Sequence, residues 1–379
     1  MTGPHPGDTG LIEGPWVVVI EAGRVAAVRS GRLERDDPAD VEDVREALVT
    51  PGLVDSHTHL VYAGDRSDEA AARSCGEPYT GGGILRTVSA TTAASDETLV
   101  RDARRRLRAA RGHGTTTIEV KSGYGLETGA ELRLLRAIGG AAESIPMQVR
   151  RTYLGAHAVP PGLTAAQQAE AVIAGLPTVA SEADHIDVFS EPGLFDLSLT
   201  RSIATAGAGY GLPLKLHADQ LQRSGAAVLG AELGALSVDH LEQITTEDVR
   251  VLAGSDTVAT ILPGPALMLR AGLPPARALL DAGATVAVGS DANAGTFGQA
   301  SMSLAIGLAV ALGFSIDEAV WAATAGGARA LGLDGRVGRL VRGARADLVA
   351  WDAEHEGAFV HRLGGVEPQR MWYGGKGDE

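Results

Sequence analysis

Cysteine is almost absent: the 379 residues hold a single one, Cys75. One thiol cannot form a disulfide within the chain, which fits a reducing compartment. No base stands near Cys75 in sequence, so it is taken as incidental, not nucleophilic. Aromatic residues are scarce, at 4%. No apolar run approaches the length of a membrane span, and no basic start leads into an apolar segment. Positive charge is in deficit: 33 Lys and Arg stand against 47 Asp and Glu, giving −14 at pH 7. A surface that acidic repels phosphate backbones and anionic membranes, so neither nucleic acid nor membrane is an expected partner. The expected location is the cytoplasm.

Glycine, by contrast, is abundant at 50 residues, and 45% of the chain is hydrophobic. That suits a fold with a large core and many tight loops. A basic stretch, residues 101–111, carries arginines at helical spacing, with Leu99, Ala103, Leu107 and Ala110 on the other side. It is expected to be a helix with a solvated face. Residues 16–20 and 25–28 are expected strands joined by the turn at Glu21-Ala22-Gly23-Arg24, and 34–43 a polar loop.

After Pro51 a different pattern begins. Eight short apolar runs each end in polar residues, and most lead into a helical stretch. The first ends at His57-Thr58-His59. The next two end at Lys121-Ser122-Gly123-Tyr124 and Gly155-Ala156-His157. Then come Ser190-Glu191, His217-Ala218-Asp219-Gln220, Asp239-His240-Leu241-Glu242 and Pro263-Gly264. The eighth ends at Gly289-Ser290-Asp291-Ala292-Asn293. Expected helices include 96–111, 129–143, 164–174, 225–233 and 274–282. Such an alternation predicts an α/β chain whose residues 51–337 form a parallel (β/α)8 barrel, with the active site at the C-terminal ends of the strands. The competing fold, a doubly wound open sheet, would gather its polar residues near one crevice. The tail turns to β character again at 338–341, 346–351 and 366–373. Residues 1–50 and 338–379 are expected to pair into a small β domain built from both termini.

In an extended segment, side chains i and i+2 share a face, so His57 and His59 project together. With His217 on the fifth run and Asp291 on the eighth, they supply three imidazoles and one carboxylate. That set suits a single Zn²⁺ or Fe²⁺ with a position open for water. A bound ion lowers the pKa of that water to about 7, and Asp291 is placed to take its proton. His240, ending the sixth run, is a candidate to stabilise an oxyanion or orient the water. Arg66 is a candidate to hold a substrate carboxylate, the alternative being an ion pair with Asp65 or Asp68. Tyr124, His157 and Gln220 are rim residues able to read a polar heterocycle, or to make ordinary loop hydrogen bonds. Lys121 is taken as structural.

Pro51-Gly52-Leu53-Val54-Asp55-Ser56-His57-Thr58-His59 resembles the opening motif of the metal-dependent amidohydrolase superfamily. Further stretches resemble its imidazolonepropionase family. They are Ala63-Gly64-Asp65-Arg66-Ser67-Asp68-Glu69, Gly81-Gly82-Gly83-Ile84, Glu119-Val120-Lys121-Ser122-Gly123-Tyr124-Gly125-Leu126, Leu154-Gly155-Ala156-His157-Ala158-Val159-Pro160-Pro161, Lys215-Leu216-His217-Ala218-Asp219-Gln220 and Ser237-Val238-Asp239-His240-Leu241-Glu242. The resemblance implies one metal per chain on His57, His59, His217 and Asp291. It implies that Arg66, Tyr79, Tyr124, His157 and Gln220 contact a small-molecule substrate, imidazolone propionate, and that Asn293, Gly295 and Thr296 line the product side. The implied reaction is hydrolysis of the cyclic amide of 4-imidazolone-5-propanoate to N-formimidoyl-L-glutamate, the third step of histidine degradation, by a homodimer. Family members carry Glu or Gln at the position of Gln220. Gln cannot act as a base, so that role falls to Asp291 with His240 assisting. Ala294 stands where the family usually has Pro, and the N-terminus looks short, with one expected leading strand missing or degenerate. Two other readings stay open at this level: a heterocycle deaminase sharing the metal, and a metal-bound protein without catalysis.

Overall fold

The computed structural model describes residues 14–33, 40–77 and 83–377. Tyr79, Gly81 and Gly82 lie outside them, as does most of the polar stretch 34–43. The strands, in chain order, are β1 (Trp16–Glu21), β2 (Arg24–Ser30), β3 (Val49–Pro51), β4 (Leu53–Asp55), β5 (Thr115–Lys121), β6 (Gln148–Ala156), β7 (His185–Ser190), β8 (Leu214–Ala218), β9 (Ser237–His240), β10 (Val258–Ile261), β11 (Val286–Val288), β12 (Leu348–Trp351), β13 (Pro368–Tyr373) and β14 (Lys376–Gly377). Strands β4 to β11 lie side by side in strict chain order, all parallel. Eight such strands with helices between them form a (β/α)8 barrel, not an open doubly wound sheet, whose order would reverse at a switch point. Strands β5 and β7 to β11 are buried along their whole length, as expected where one face lines the barrel and the other is covered by helices.

The barrel closes between β4 and β11, just beyond the ends of both strands. An isolated parallel bridge joins Thr58 to Ala292. There the Asp291 N–H donates to the His57 carbonyl at 3.0 Å, and the His59 N–H to the Ala292 carbonyl at 2.9 Å. The Asp55 carboxylate accepts from the Ser290 N–H at 3.0 Å and the Ser290 hydroxyl at 2.6 Å. The seam therefore falls on the residues that carry the candidate chemistry.

Local sequence explains the outer helices. Ser95, Asp196 and Ser301 cap their helices through the side chain. Thr164 with Gln167, Thr245 with Asp248 and Ser315 with Glu318 form capping boxes. Helix Asp96–Gly112 buries Leu99, Ala103, Leu107 and Ala110, the expected apolar side. Its other face is less solvated than expected. Arg104 donates to the carbonyls of Gly140 and Ala141. Arg106 donates to those of Leu60 and Tyr62 and lies over the Tyr62 ring. Some of these arginines tie loops to the barrel by their guanidinium forks.

A second, antiparallel sheet runs β14-β13-β12-β3, so it draws on both ends of the chain. β1 and β2 form a hairpin whose Val25 N–H reaches the Ala344 carbonyl. The strand expected at 338–341 is not formed. Gly338 sits at φ +69°, with the Thr324 carbonyl 2.5 Å from where a Cβ would be, and the segment bends instead of extending. Gly114, which opens β5 at φ +89°, is a second obligatory glycine. A Cβ there would lie 2.3 Å from the ring of Trp351, whose Nε1–H is fixed on Thr50. Gly114→Ala should therefore lower unfolding stability by about 1–3 kcal/mol, from overlap plus the positive φ. Urea melts read this directly, and an unchanged midpoint would show that Trp351 is free to shift.

Candidate metal centre and active-site cleft

The candidate residues meet at the C-terminal mouth of the barrel. His57 and His59 follow β4, His217 lies in β8, His240 ends β9 and Asp291 follows β11. All five are at least nine-tenths buried. His59 Nε2 is 3.3 Å from His57 Nε2 and 3.3 Å from His217 Nε2. Asp291 Oδ1 is 3.7 Å from the Nε2 of both His57 and His59. Two ligands at about 2.0–2.1 Å from a shared ion, at a near-tetrahedral angle, stand about 3.3 Å apart, so the spacing fits a single cation. A second group, His57, His217 and His240, has its donor atoms within 4.8 Å of one another and shares His57 with the group His57, His59 and Asp291.

The imidazoles have the protonation state that ligation needs. Burial, then the Lys121 charge and the neighbouring histidines, holds His57 well below its usual pKa; burial and nearby His157 and His217 do the same to His59. His217 is lowered by burial against the opposing pull of Asp187. Burial pushes the Asp291 carboxyl up to about 6, partly offset by His240. His240 differs. Burial disfavours its cation, but Glu242, Asp291 and Asp239 together raise its pKa above the usual value. Glu242 Oε1 stands 3.7 Å from His240 Nδ1, too far for a hydrogen bond, so the pair interacts as charges. His240 and Asp291 both adopt positive φ, at 85° and 46°. Backbone strain of this kind gathers where a site over-determines its geometry.

The far side of two imidazoles is anchored. His57 Nδ1 lies 2.6 Å from Asp239 Oδ2, and His217 Nδ1 lies 3.1 Å from Asp187 Oδ2. A carboxylate behind a ligating histidine fixes its tautomer and raises its basicity. Neither aspartate was assigned a role from sequence. The signal was present: Glu119, Lys121, Asp187, Lys215 and Asp239 are charges inside otherwise apolar strands. On a period of two Lys215 shares a face with His217, and Glu119 with Lys121. Lys121 pairs with Glu119 and Asp187, in line with its structural reading.

Above the cluster lies a cleft open to solvent. Arg66, Tyr124, His157, Gln220, Asn293 and Thr296 line it, as expected candidates, but Gly295 does not; Ile84 and Phe189, to which the sequence assigned no role, line it too. Arg66 is 4% exposed and grips Glu69 through Nε and Nη2 at 3.0 and 2.7 Å, not Asp65 or Asp68. Gly295 backs the guanidinium: a Cβ there would meet it at 2.4 Å. His157 stacks on His59 and its Nδ1 lies 2.9 Å from the Gly123 carbonyl, so Nδ1 carries the proton and Nε2 is an acceptor. Burial pushes its pKa down to about 3. The Asn293 side chain is spent on its own turn, accepting from the Gly295 and Thr296 N–H groups and donating to Thr296 Oγ1. This Asx turn shapes the loop despite Ala294. The loop bearing Tyr124 is held by buried Glu131, which accepts the N–H groups of Gly123, Gly125 and Leu126.

Replacing Asp239 by Asn removes the charge behind His57 at little cost in shape. Asp239→Asn is expected to weaken metal affinity by about 10–100-fold. Chelator-competition titration measures it, and unchanged affinity would detach Asp239 from the centre.

Residues 48–376 match the model of the amidohydrolase family. Imidazolonepropionase of Rubrobacter xylanophilus is 47% identical, over 96% of this chain and 92% of its own length. That of Nocardia farcinica is 45% identical, over 96% and 94%. Among solved structures, a 5-methylcytosine deaminase from Klebsiella pneumoniae aligns with TM-score 0.77 at 16% identity, covering 97% of this chain and 95% of its own. A zinc-bound adenosine deaminase from Xanthomonas campestris aligns at 0.74 and 18%, covering 98% and 90%. At such identity these two show the shared fold alone.

Proposed function

This chain belongs to the amidohydrolase family, among its imidazolonepropionases, and we propose that it hydrolyses 4-imidazolone-5-propanoate to N-formimidoyl-L-glutamate in histidine degradation. The observation that carries the reading is the cleft's polarity. A buried guanidinium, Arg66, stands on its wall, and His59, His217, His240 and Asp291 line it as well, with His57 just beneath in donor groups with His59 and Asp291 and with His217 and His240. The substrate needs both: a cation for its propionate and a centre that attacks its ring carbonyl.

Zn²⁺ or Fe²⁺ held by His57, His59, His217 and Asp291 would supply a water of lowered pKa and polarise the carbonyl. Asp291, its carboxyl near a pKa of 6, takes the proton of the attacking water. His240, whose cation Glu242 and its neighbours favour, donates to the oxygen as negative charge gathers there. Asp291 then returns the proton to the ring nitrogen as the C–N bond breaks. Arg66, its plane fixed by Glu69, receives the propionate, and Tyr124 and Tyr79 are assigned to substrate contact by the family resemblance. His157 accepts from a ring N–H, and the Gln220 amide meets the polar edge of the ring. Gln220 is no base, so proton transfer rests with Asp291. Asn293, Gly295 and Thr296 shape the side from which product leaves. The working protein is proposed to be a cytoplasmic homodimer. Its catalytic unit is 51–337, and 1–50 with 338–379 form the smaller β unit.

Metal-loaded protein given freshly made imidazolone propionate should consume its ultraviolet absorbance and yield formimidoylglutamate. Ammonia release without that product would point to a deaminase instead. Arg66→Ala should raise KM by about 10–100-fold, the worth of a charge-assisted bidentate pair, with a smaller effect on kcat. An unchanged KM would remove Arg66 from the carboxylate role.

A further inference from the structure

Beneath the donor cluster, and lining no part of the cleft, two lysines are sealed inside the barrel at 0% exposure. Lys121 Nζ lies 2.6 Å from Glu119 Oε1, 2.8 Å from Asp187 Oδ2 and 3.9 Å from Asp239 Oδ2. Lys215 Nζ lies 2.5 Å from Ser237 Oγ and 3.5 Å from Asp239 Oδ2. The same two carboxylate oxygens stand behind the histidines: Asp187 Oδ2 behind His217 and Asp239 Oδ2 behind His57. Each oxygen thus sits between an ammonium and an imidazole Nδ1. The mechanism makes no use of either lysine.

We propose that Lys121 is a positioning residue for the metal centre: its ammonium holds Asp187 and, with Lys215, Asp239 in the orientation that aims His217 and His57, and so sets how tightly the centre keeps its ion. The inference rests on the ligand reading above. The geometry favours a clamp over mere charge balance, because one ammonium on β5 reaches carboxylates from two other strands, β7 and β9, across the barrel. Charge alone would act in the opposite sense. Removing a buried cation makes the carboxylates stronger acceptors and the imidazoles better donors. But a carboxylate in a dry interior without its cation turns toward another donor or takes up a proton. Either change takes the acceptor from His57 Nδ1 and the close carboxylate contact from His217 Nδ1. At distances of 2.8–3.9 Å the direct contact outweighs the inductive gain.

Lys121→Met alone would strand Glu119, so the test pairs it with Glu119→Gln, which removes one buried charge of each sign. Thr152 Oγ1 still has an acceptor at residue 119. Zn²⁺ affinity of the apo-proteins is measured by chelator competition, with the circular dichroism spectrum and Tm of each. The double variant should fold and bind Zn²⁺ about 10–100-fold more weakly than Glu119→Gln, which should stay within about twofold of the unmodified protein. Lys121→Arg, which keeps the charge, should recover part of the loss. Equal affinity in the double variant and Glu119→Gln overturns the proposal. So does an apo double variant that fails to fold, since that assigns Lys121 to the barrel itself. His217→Ala separates the two levels: if the unmodified protein binds no Zn²⁺, or His217→Ala binds it as well, the ligand reading falls and the inference with it.

Discussion

Everything at the mouth of this barrel depends on how its first and last strands are fastened. The joint combines one buried side chain, Asp55, with a short run of backbone hydrogen bonds. Asp55 takes both the N–H and the hydroxyl of Ser290, and the backbones of His57 and Asp291 pair immediately beyond. Burial pushes the Asp55 carboxyl up to about 7, while Ser290 draws it down. The seam is where a barrel is most easily opened. Placing the His-x-His pair and the aspartate on its two lips lets barrel closure itself assemble three of the four donors. His217 arrives from across the mouth on β8.

Below that joint lies a problem of charge. Three imidazoles are packed against one another away from water, which holds all three below their usual pKa. Neutral rings this close have lone pairs to share and no proton to fill them, an arrangement suited to a divalent ion. The negative groups that orient them, Asp187 and Asp239, would be costly alone in such a place. Lys121 and Lys215 make them tolerable. The barrel interior is therefore layered, with ion pairs beneath, histidines and Asp291 above, and the cleft with Arg66 at the top.

The architecture was legible because β/α alternation writes itself as apolar runs with polar ends. The strands fall where those runs fall. The metal candidates were legible for the same reason, since a strand-end histidine is conspicuous. What sequence hid was of two kinds. Gly338 to Val341 has strand-like composition, but a close approach to the Thr324 carbonyl, a tertiary fact, bends it. The roles of Asp187, Asp239 and Glu131 depend on which side chains lie opposite across the barrel, and no local pattern reports that. Arg66 shows the same limit at short range. Asp65 and Asp68 were the obvious partners, yet the turn into helix Ser67–Ser74 presents Glu69 instead.

The central claim is that one ion is held where the seam and β8 meet. Anomalous diffraction from metal-loaded crystals tests it most directly. The account predicts one peak per chain, within bonding distance of His57 Nε2, His59 Nε2, His217 Nε2 and an Asp291 oxygen. Two peaks, or one peak bound by His57, His217 and His240 that leaves His59 and Asp291 unligated, would contradict it.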